Sequence, residues 1–284
     1  MNERTVQEIR RARPSRDGDG VAIARITGMQ HAGMDPILML DELRTERRED
    51  FGGGFPAHPH RGMQTLTYMK HGGIIHEDSR GNRGEIRSGG VQWMSAGRGI
   101  IHSEMPTPDM QGLHGFQLWI NLPAAQKMNE PRYRDIPAQE LATTAGDGYV
   151  AVTIAGEWDI DGDLSHGPLV ELAPRAGLVD VTLAPSARIS ITLPPTESLL
   201  GYVYLGEVRA VAQSATAQEV TAGHLIITSR GDRWSVQAGA AGASLLLLRG
   251  EPLAEPVAHY GPFVMNTPAE IEQAIRDYQS GDFA

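Results

Sequence analysis

The chain has no cysteine. That one absence removes disulfides, thiolate ligands and cysteine nucleophiles together, so any bound metal must be held by nitrogen and oxygen donors. Long apolar runs are missing too. No window approaches the ~18 consecutive apolar residues of a membrane-spanning helix, and no apolar core of a secretory leader follows Met1, so the default expectation is a cytoplasmic protein with no membrane partner. Positive charge is scarce: 25 Lys and Arg stand against 35 Asp and Glu, a formal net charge of −10. A field of that sign opposes phosphate backbones, and direct nucleic-acid binding is not expected. The basic cluster Arg4, Arg10, Arg11 and Arg13 is interleaved with Glu3 and Glu8 and reads as a solvated edge.

What is abundant is turn-forming residues. Among 284 residues there are 33 glycines and 18 prolines, with 40% hydrophobic residues. These describe a turn-rich β protein with material for a core, long enough for one large or two medium domains. Short runs rich in β-branched and aromatic residues, such as Ile74 to Asp78, Val91 to Met94 and Leu113 to Ile120, are separated by glycine turns. They read as antiparallel strands closing on themselves. A boundary falls near Ala138 to Gly148, after which short strands resume from Tyr149 onward, giving domains at 1–140 and 141–284. The second half has no His-x-His, and its His166 and His224 lack partners at ligand spacing, so a metal-free second barrel is expected. Near the end, Thr267-Pro268-Ala269-Glu270 forms a capping box. Ile271, Ile275 and Tyr278 then form an apolar stripe, predicting a short amphipathic helix that ties this segment onto a barrel.

The most informative stretch runs from His58 to Glu104. It opens with His58-Pro59-His60 and closes with His102-Ser103-Glu104. Residues i and i+2 of a strand project to one face roughly 6.5 Å apart, so two such strands side by side bring three imidazoles and a carboxylate together. That donor set suits a divalent first-row transition metal rather than the all-oxygen cages of calcium or magnesium. An isolated histidine is more often a hydrogen-bonded structural residue, and this chain has ten. Two i, i+2 pairs flanked by Gly and Pro form a more specific pattern. His76-Glu77-Asp78 resembles a further cluster, but adjacent strand residues alternate faces, and bonding to its hairpin loop is the simpler reading. Ser103 points away from its two neighbours, so a serine nucleophile is not expected.

These residues resemble the pirin family of the cupin superfamily. The resemblance is carried by His58-Pro-His60-Arg-Gly62, Gln92-Trp-Met94, Ala96-Gly-Arg-Gly-Ile-Ile-His102-Ser-Glu-Met-Pro106, His114-Gly115, Gln117-Leu-Trp119 and Asn121-Leu-Pro123, with Gly261-Pro-Phe-Val-Met-Asn-Thr267 late in the chain. It implies an all-β fold of two tandem cupin barrels (double-stranded β-helix, or jelly roll) with a short C-terminal helix. It also implies iron, Fe(II), in the N-terminal barrel only, on His58, His60, His102 and Glu104; Mn, Ni, Co, Cu or Zn are the other candidates for such a donor set. Members of the family are known for quercetin 2,3-dioxygenase activity and for regulatory binding of protein partners, so a flavonol substrate and a metal-dependent partner clamp are both expectations, with a purely structural metal as the third.

In the enzymatic reading Glu104 combines ligation with accepting the substrate's hydroxyl proton, and Phe55, Met63 and Phe116 sandwich a planar ring. Where the family usually has Glu this chain has Gln64, which is expected to remove an acidic group from beside the metal.

Overall fold

The structure, a computed structural model, describes residues 2–211 and 217–284. It divides into two compact units. One comprises residues 13–30, 37–139 and 253–284, and the other residues 2–12, 31–36 and 140–252. The units are thus not continuous in sequence: residues 2–12 lie with 140–252, and residues 253–284 lie with 37–139.

In the unit built mainly from residues 13–139, a seven-stranded antiparallel sheet runs in the order Arg132–Ile136, Val91–Ser95, Met63–His71, Leu113–Asn121, Ile37–Thr45, Val21–Thr27 and Arg13–Asp17. A four-stranded sheet has the order Phe55–His60, Ile100–Pro106, Gly73–Asp78 and Arg83–Arg87. Val21, Ile23, Leu43 and Met69 from the first sheet pack with Ile74 and Ile86 from the second, closing one end of the jelly roll with an apolar plug. Buried polar side chains, among them His60, His102, Glu104 and Thr67, lie elsewhere in the interior, and there the candidate site is found.

Residues 253–284 complete this unit. Ala258–Tyr260 and Phe263–Met265 form a hairpin, followed by the helix Pro268–Ser280. The helix begins as the sequence predicts: Thr267 Oγ1 accepts from Glu270 N, and Glu270 Oε2 accepts from Thr267 N at 2.8 Å. Its buried residues are Ile271 and Ala274, which pack on Phe263, Met265 and Phe283, while Ile275 is only partly buried and Tyr278 lies edge-on at the margin. Arg61 locks the helix down, with Nη1 2.6 Å from Asp277 Oδ2 and the guanidinium 4.6 Å from the centre of the Phe283 ring.

Among its described residues the other unit is a single sheet of eleven strands. Its two long strands, Ser198–Val211 and Arg233–Gly250, pair antiparallel through two register shifts, which let them bend and serve both sides of the barrel. Its interior is filled by apolar side chains including Trp158, Trp234, Ile191 and Leu245. His166 lies beside Glu157 and His224 bonds the Thr221 carbonyl, both away from that interior. The edge strand Val6–Arg11 pairs with His224–Thr228. Arg4 does not belong to a solvated edge. It is fully buried, with Nε donating to Gly231 O at 2.8 Å and Nη2 to Pro194 O and Glu197 O at 2.9 and 3.0 Å. Those loop carbonyls have no ladder partners, and a planar five-donor group satisfies several at once.

Candidate metal centre and its cavity

The interior face of the four-stranded sheet carries three i, i+2 pairs on three adjacent strands: His58 with His60, His102 with Glu104, and His76 with Asp78. Register sets them side by side, with His102 opposite both His58 and Asp78, and Glu104 opposite both Phe55 and His76. A register shift between His102 and Glu104 sets Phe55 rather than Pro56 across from Glu104.

His58, His60 and His102 each offer a ring nitrogen within 4.8 Å of the other two. Their ring centres lie 4.4 to 5.0 Å apart. Trp119 meets the His60 ring edge-on at 5.3 Å. His58 Nδ1 is held by the Pro56 carbonyl at 2.8 Å, leaving Nε2 as its donor atom. His60 Nδ1 and His102 Nε2 are buried and have no hydrogen-bond partner. An orphaned buried nitrogen costs about 1–3 kcal/mol, and two of them facing one point fit a divalent cation in that space. Glu104 lines the same cavity but stands outside the trio: its Oε1 accepts from Thr67 Oγ1 at 2.9 Å, and Gln117 Nε2 lies 3.5 Å from its Oε2.

Burial first, and then the neighbouring imidazoles, hold His60 and His102 well below the usual histidine range, so both are neutral at pH 7 and ready to donate lone pairs. This sets a pH dependence for the metal-free protein. Imidazoles of the unfolded chain take protons as pH falls through about 6.5, while the native ones do not. Stability is therefore unaffected by these two groups above that pH. It falls below it, by up to about 1.4 kcal/mol per pH unit for each histidine. Urea unfolding of the metal-free protein between pH 7.5 and 5 should show that decline, and His60→Ala should make it shallower.

His58 and His60 of the trio line a cavity of about 710 Å³, within the range of small-molecule sites. Met29, Met39, Phe55, Pro56, Trp119 and Pro262 give it apolar walls. Its outer wall carries Arg25, gripped by Asp41 at 2.8 and 2.6 Å, together with Asp17 and the exposed His259.

Of the three side chains expected from sequence to sandwich a substrate, Phe55 lines this cavity and Met63 and Phe116 do not, nor does Gln64, expected beside the metal. Met63 packs with Leu38 and Val264. Gln64 is three residues before Thr67 on a regular stretch of strand, so it projects to the opposite face from the side chain that bonds Glu104. Phe116 shares that opposite face, where it stacks on Tyr68 at 6.3 Å. Replacement of Gln64 by Glu would place a charge in that buried layer instead of beside the trio. The side chain that sequence reasoning missed is His76, whose ring touches His102; the alternation His76-x-Asp78 was the available signal.

The family models match both halves of the chain. Residues 20–120 match Pirin and residues 178–284 match the Pirin C-terminal cupin domain. The chain belongs to the pirin family. Among its relatives, a Vibrio cholerae protein provisionally named a quercetin 2,3-dioxygenase is 45% identical over 99% of this chain and 98% of its own. A Pseudomonas aeruginosa protein with the same provisional name is 43% identical over 99% of this chain and 98% of its own. A crystal structure of quercetin 2,3-dioxygenase from Acinetobacter baumannii superimposes with a TM-score of 0.89 at 29% identity, covering 99% of both chains. Two tandem cupin domains are thus the architecture of this pirin, and the three-histidine group lies in the first.

Proposed function

We propose that this pirin is a metal-dependent dioxygenase acting on a flavonol or a similarly planar hydroxylated aromatic. The observation that carries the reading is the meeting of three imidazoles, two with orphaned nitrogens, beside an apolar-walled cavity that His58 and His60 line together with a carboxylate. Relatives bearing a quercetin 2,3-dioxygenase name support it.

His58, His60 and His102 are the residues that would hold the ion, with Glu104 as the fourth ligand or as its neighbour. Bound there, a redox-active divalent metal, iron being the first candidate, would supply a Lewis acid for the substrate hydroxyl and a partner for dioxygen. The chain's own contribution is positioning and proton handling. Trp119, Met39 and Phe55 offer flat apolar surface for a ring. Glu104 Oε2, with Gln117 Nε2 at 3.5 Å, is the acceptor for a phenolic proton, while Thr67 steadies the other oxygen.

The test pairs turnover with metal content. Protein loaded with Fe(II) and supplied with quercetin under air should consume dioxygen, and Glu104→Gln should slow turnover by about 10²–10⁴-fold, the usual worth of a positioned base, while the three imidazoles still bind metal. Equal turnover in the variant would remove Glu104 from the proton step, and absence of turnover across a flavonol panel would end the dioxygenase reading.

A further inference from the structure

A fourth imidazole is built into the same sheet. His76 is fully buried. Its Nδ1 lies 3.3 Å from His102 Nδ1, and its Nε2 lies 3.0 Å from Asp78 Oδ2. We propose that Asp78 and His76 are positioning residues that fix His102 as the Nδ1–H tautomer, so that its Nε2 lone pair faces His58 and His60.

The direction of each hydrogen bond follows from Asp78. Its carboxylate accepts from Arg80 N at 2.9 Å, from Asn82 N at 3.0 Å and from Asn82 Nδ2 at 2.9 Å. A carboxylate gathering that many donors acts as acceptor toward His76 also, and the hydrogen of that bond sits on His76 Nε2. In the neutral ring His76 Nδ1 is then the lone pair, and the only hydrogen that can lie between the two rings belongs to His102 Nδ1. The alternative is a cationic His76 donating to His102. That would place an N–H on His102 Nε2 and turn a hydrogen, in place of a lone pair, toward the nitrogens of His58 and His60.

The orientation of His76 is itself enforced. Tyr133 stacks on the ring at 4.3 Å with 22° between planes. The Tyr133 hydroxyl donates to Asp135 Oδ1 at 2.6 Å and accepts from Gln92 Nε2 at 3.0 Å. Directly across the ladder from His76 is Gly84, where a Cβ would come within 1.9 Å of Asp135 Oδ2 and 2.0 Å of the Tyr133 hydroxyl. Absence of a side chain at 84 is what lets the tyrosine close over the imidazole. The result is a carboxylate–imidazole–imidazole series ending at the trio, in which the outer members set which nitrogen the inner one presents.

The geometry stands on its own, and its consequence for metal rests on the proposed function, so the experiment has two arms. Long-range ¹H–¹⁵N correlation on metal-free protein with labelled histidine, at pH 8, should show His102 as the Nδ1–H tautomer and His76 as the Nε2–H tautomer. The opposite tautomer at His102 overturns the proposal, whether or not metal binds. In the second arm Co(II) affinity is measured by chelator competition. His76→Phe keeps the stacking ring and removes the acceptor; affinity should fall about 10–100-fold, the usual cost of losing a ligand's outer partner. In His76→Gln, Oε1 can accept from His102 and Nε2 can donate to Asp78, so both affinity and the His102 tautomer should be restored. Unchanged affinity in His76→Phe overturns the positioning role. Should that variant fail to fold, the wild-type tautomer and the His76→Gln protein decide the matter. A wild-type chain with the stated tautomers that binds no Co(II) would remove the metal reading and leave the relay in place.

Discussion

His102→Ala should yield a folded protein whose affinity for a divalent transition metal is lower by more than the ~100-fold that loss of an outer partner brings at most. His102 sits in the middle strand of the site, between the strands bearing His58 and His76, so its loss removes a donor and cuts the trio from its fourth ring. Stability without metal should change by less than about 2 kcal/mol, because removal of a buried imidazole with an orphaned Nε2 offsets much of the cost of the cavity it leaves. Thermal unfolding with and without added Ni(II) or Fe(II) separates the effects: wild type should gain stability on loading, and the variant should not. A variant that unfolds on purification, or that binds metal as tightly as wild type, would contradict this account.

Gly62→Ala should be more damaging to the fold than any change at the trio. Gly62 has φ +78°, and a Cβ there would lie 2.1 Å from the Val264 carbonyl oxygen and 2.8 Å from Met265 Sδ. The surrounding hydrogen bonds explain why the approach is so close. Val264 N donates to Arg61 O at 3.0 Å, and Gly62 N to Gly97 O at 2.8 Å. The buried Lys127 ammonium donates to Gly62 O, Val264 O and Asn121 Oδ1 at 2.7, 3.0 and 2.6 Å, matching its three hydrogens to three acceptors. An alanine must adopt a left-handed backbone and push the late strand away from this knot. The expected cost is on the order of 3–5 kcal/mol. It should be read as a lower urea midpoint and as new protease sensitivity between residues 253 and 284. Gly81, also at positive φ (+83°) but with open space around it, supplies the control: Gly81→Ala should cost only the backbone term of about 1–2 kcal/mol.

The parts of this architecture that were legible from sequence are those set by local periodicity. Alternation on a strand is enough to put His58 and His60 on one face, and His102 and Glu104 on one face. The reciprocal pattern of Thr267 and Glu270 is enough to start a helix. What local periodicity does not carry is which strands become neighbours. His76 looked like a loop-bonding residue because Asp78 does bond the loop; only the pairing of Ile100–Pro106 with both Phe55–His60 and Gly73–Asp78 reveals that it also faces His102. Gln64 and Phe116 failed for a related reason. Proximity in sequence to His60 or to Trp119 says nothing about face, and both belong to the layer of Tyr68 on the far side of the sheet. Arg4 was misjudged because its charged neighbours suggested water, whereas its partners are loop carbonyls nearly two hundred residues or more away in sequence.

The exchange of end segments between the two units has a consequence for how the molecule is made. His259, Gly261 and Pro262 form part of the wall around the candidate centre, yet a ribosome reaches them only after it has passed through the whole of residues 140–252. During translation the first barrel therefore waits, with its strands present and its cavity unfinished, until the other barrel has been synthesised. The cavity beside the three imidazoles is therefore closed only by a segment made after that whole stretch.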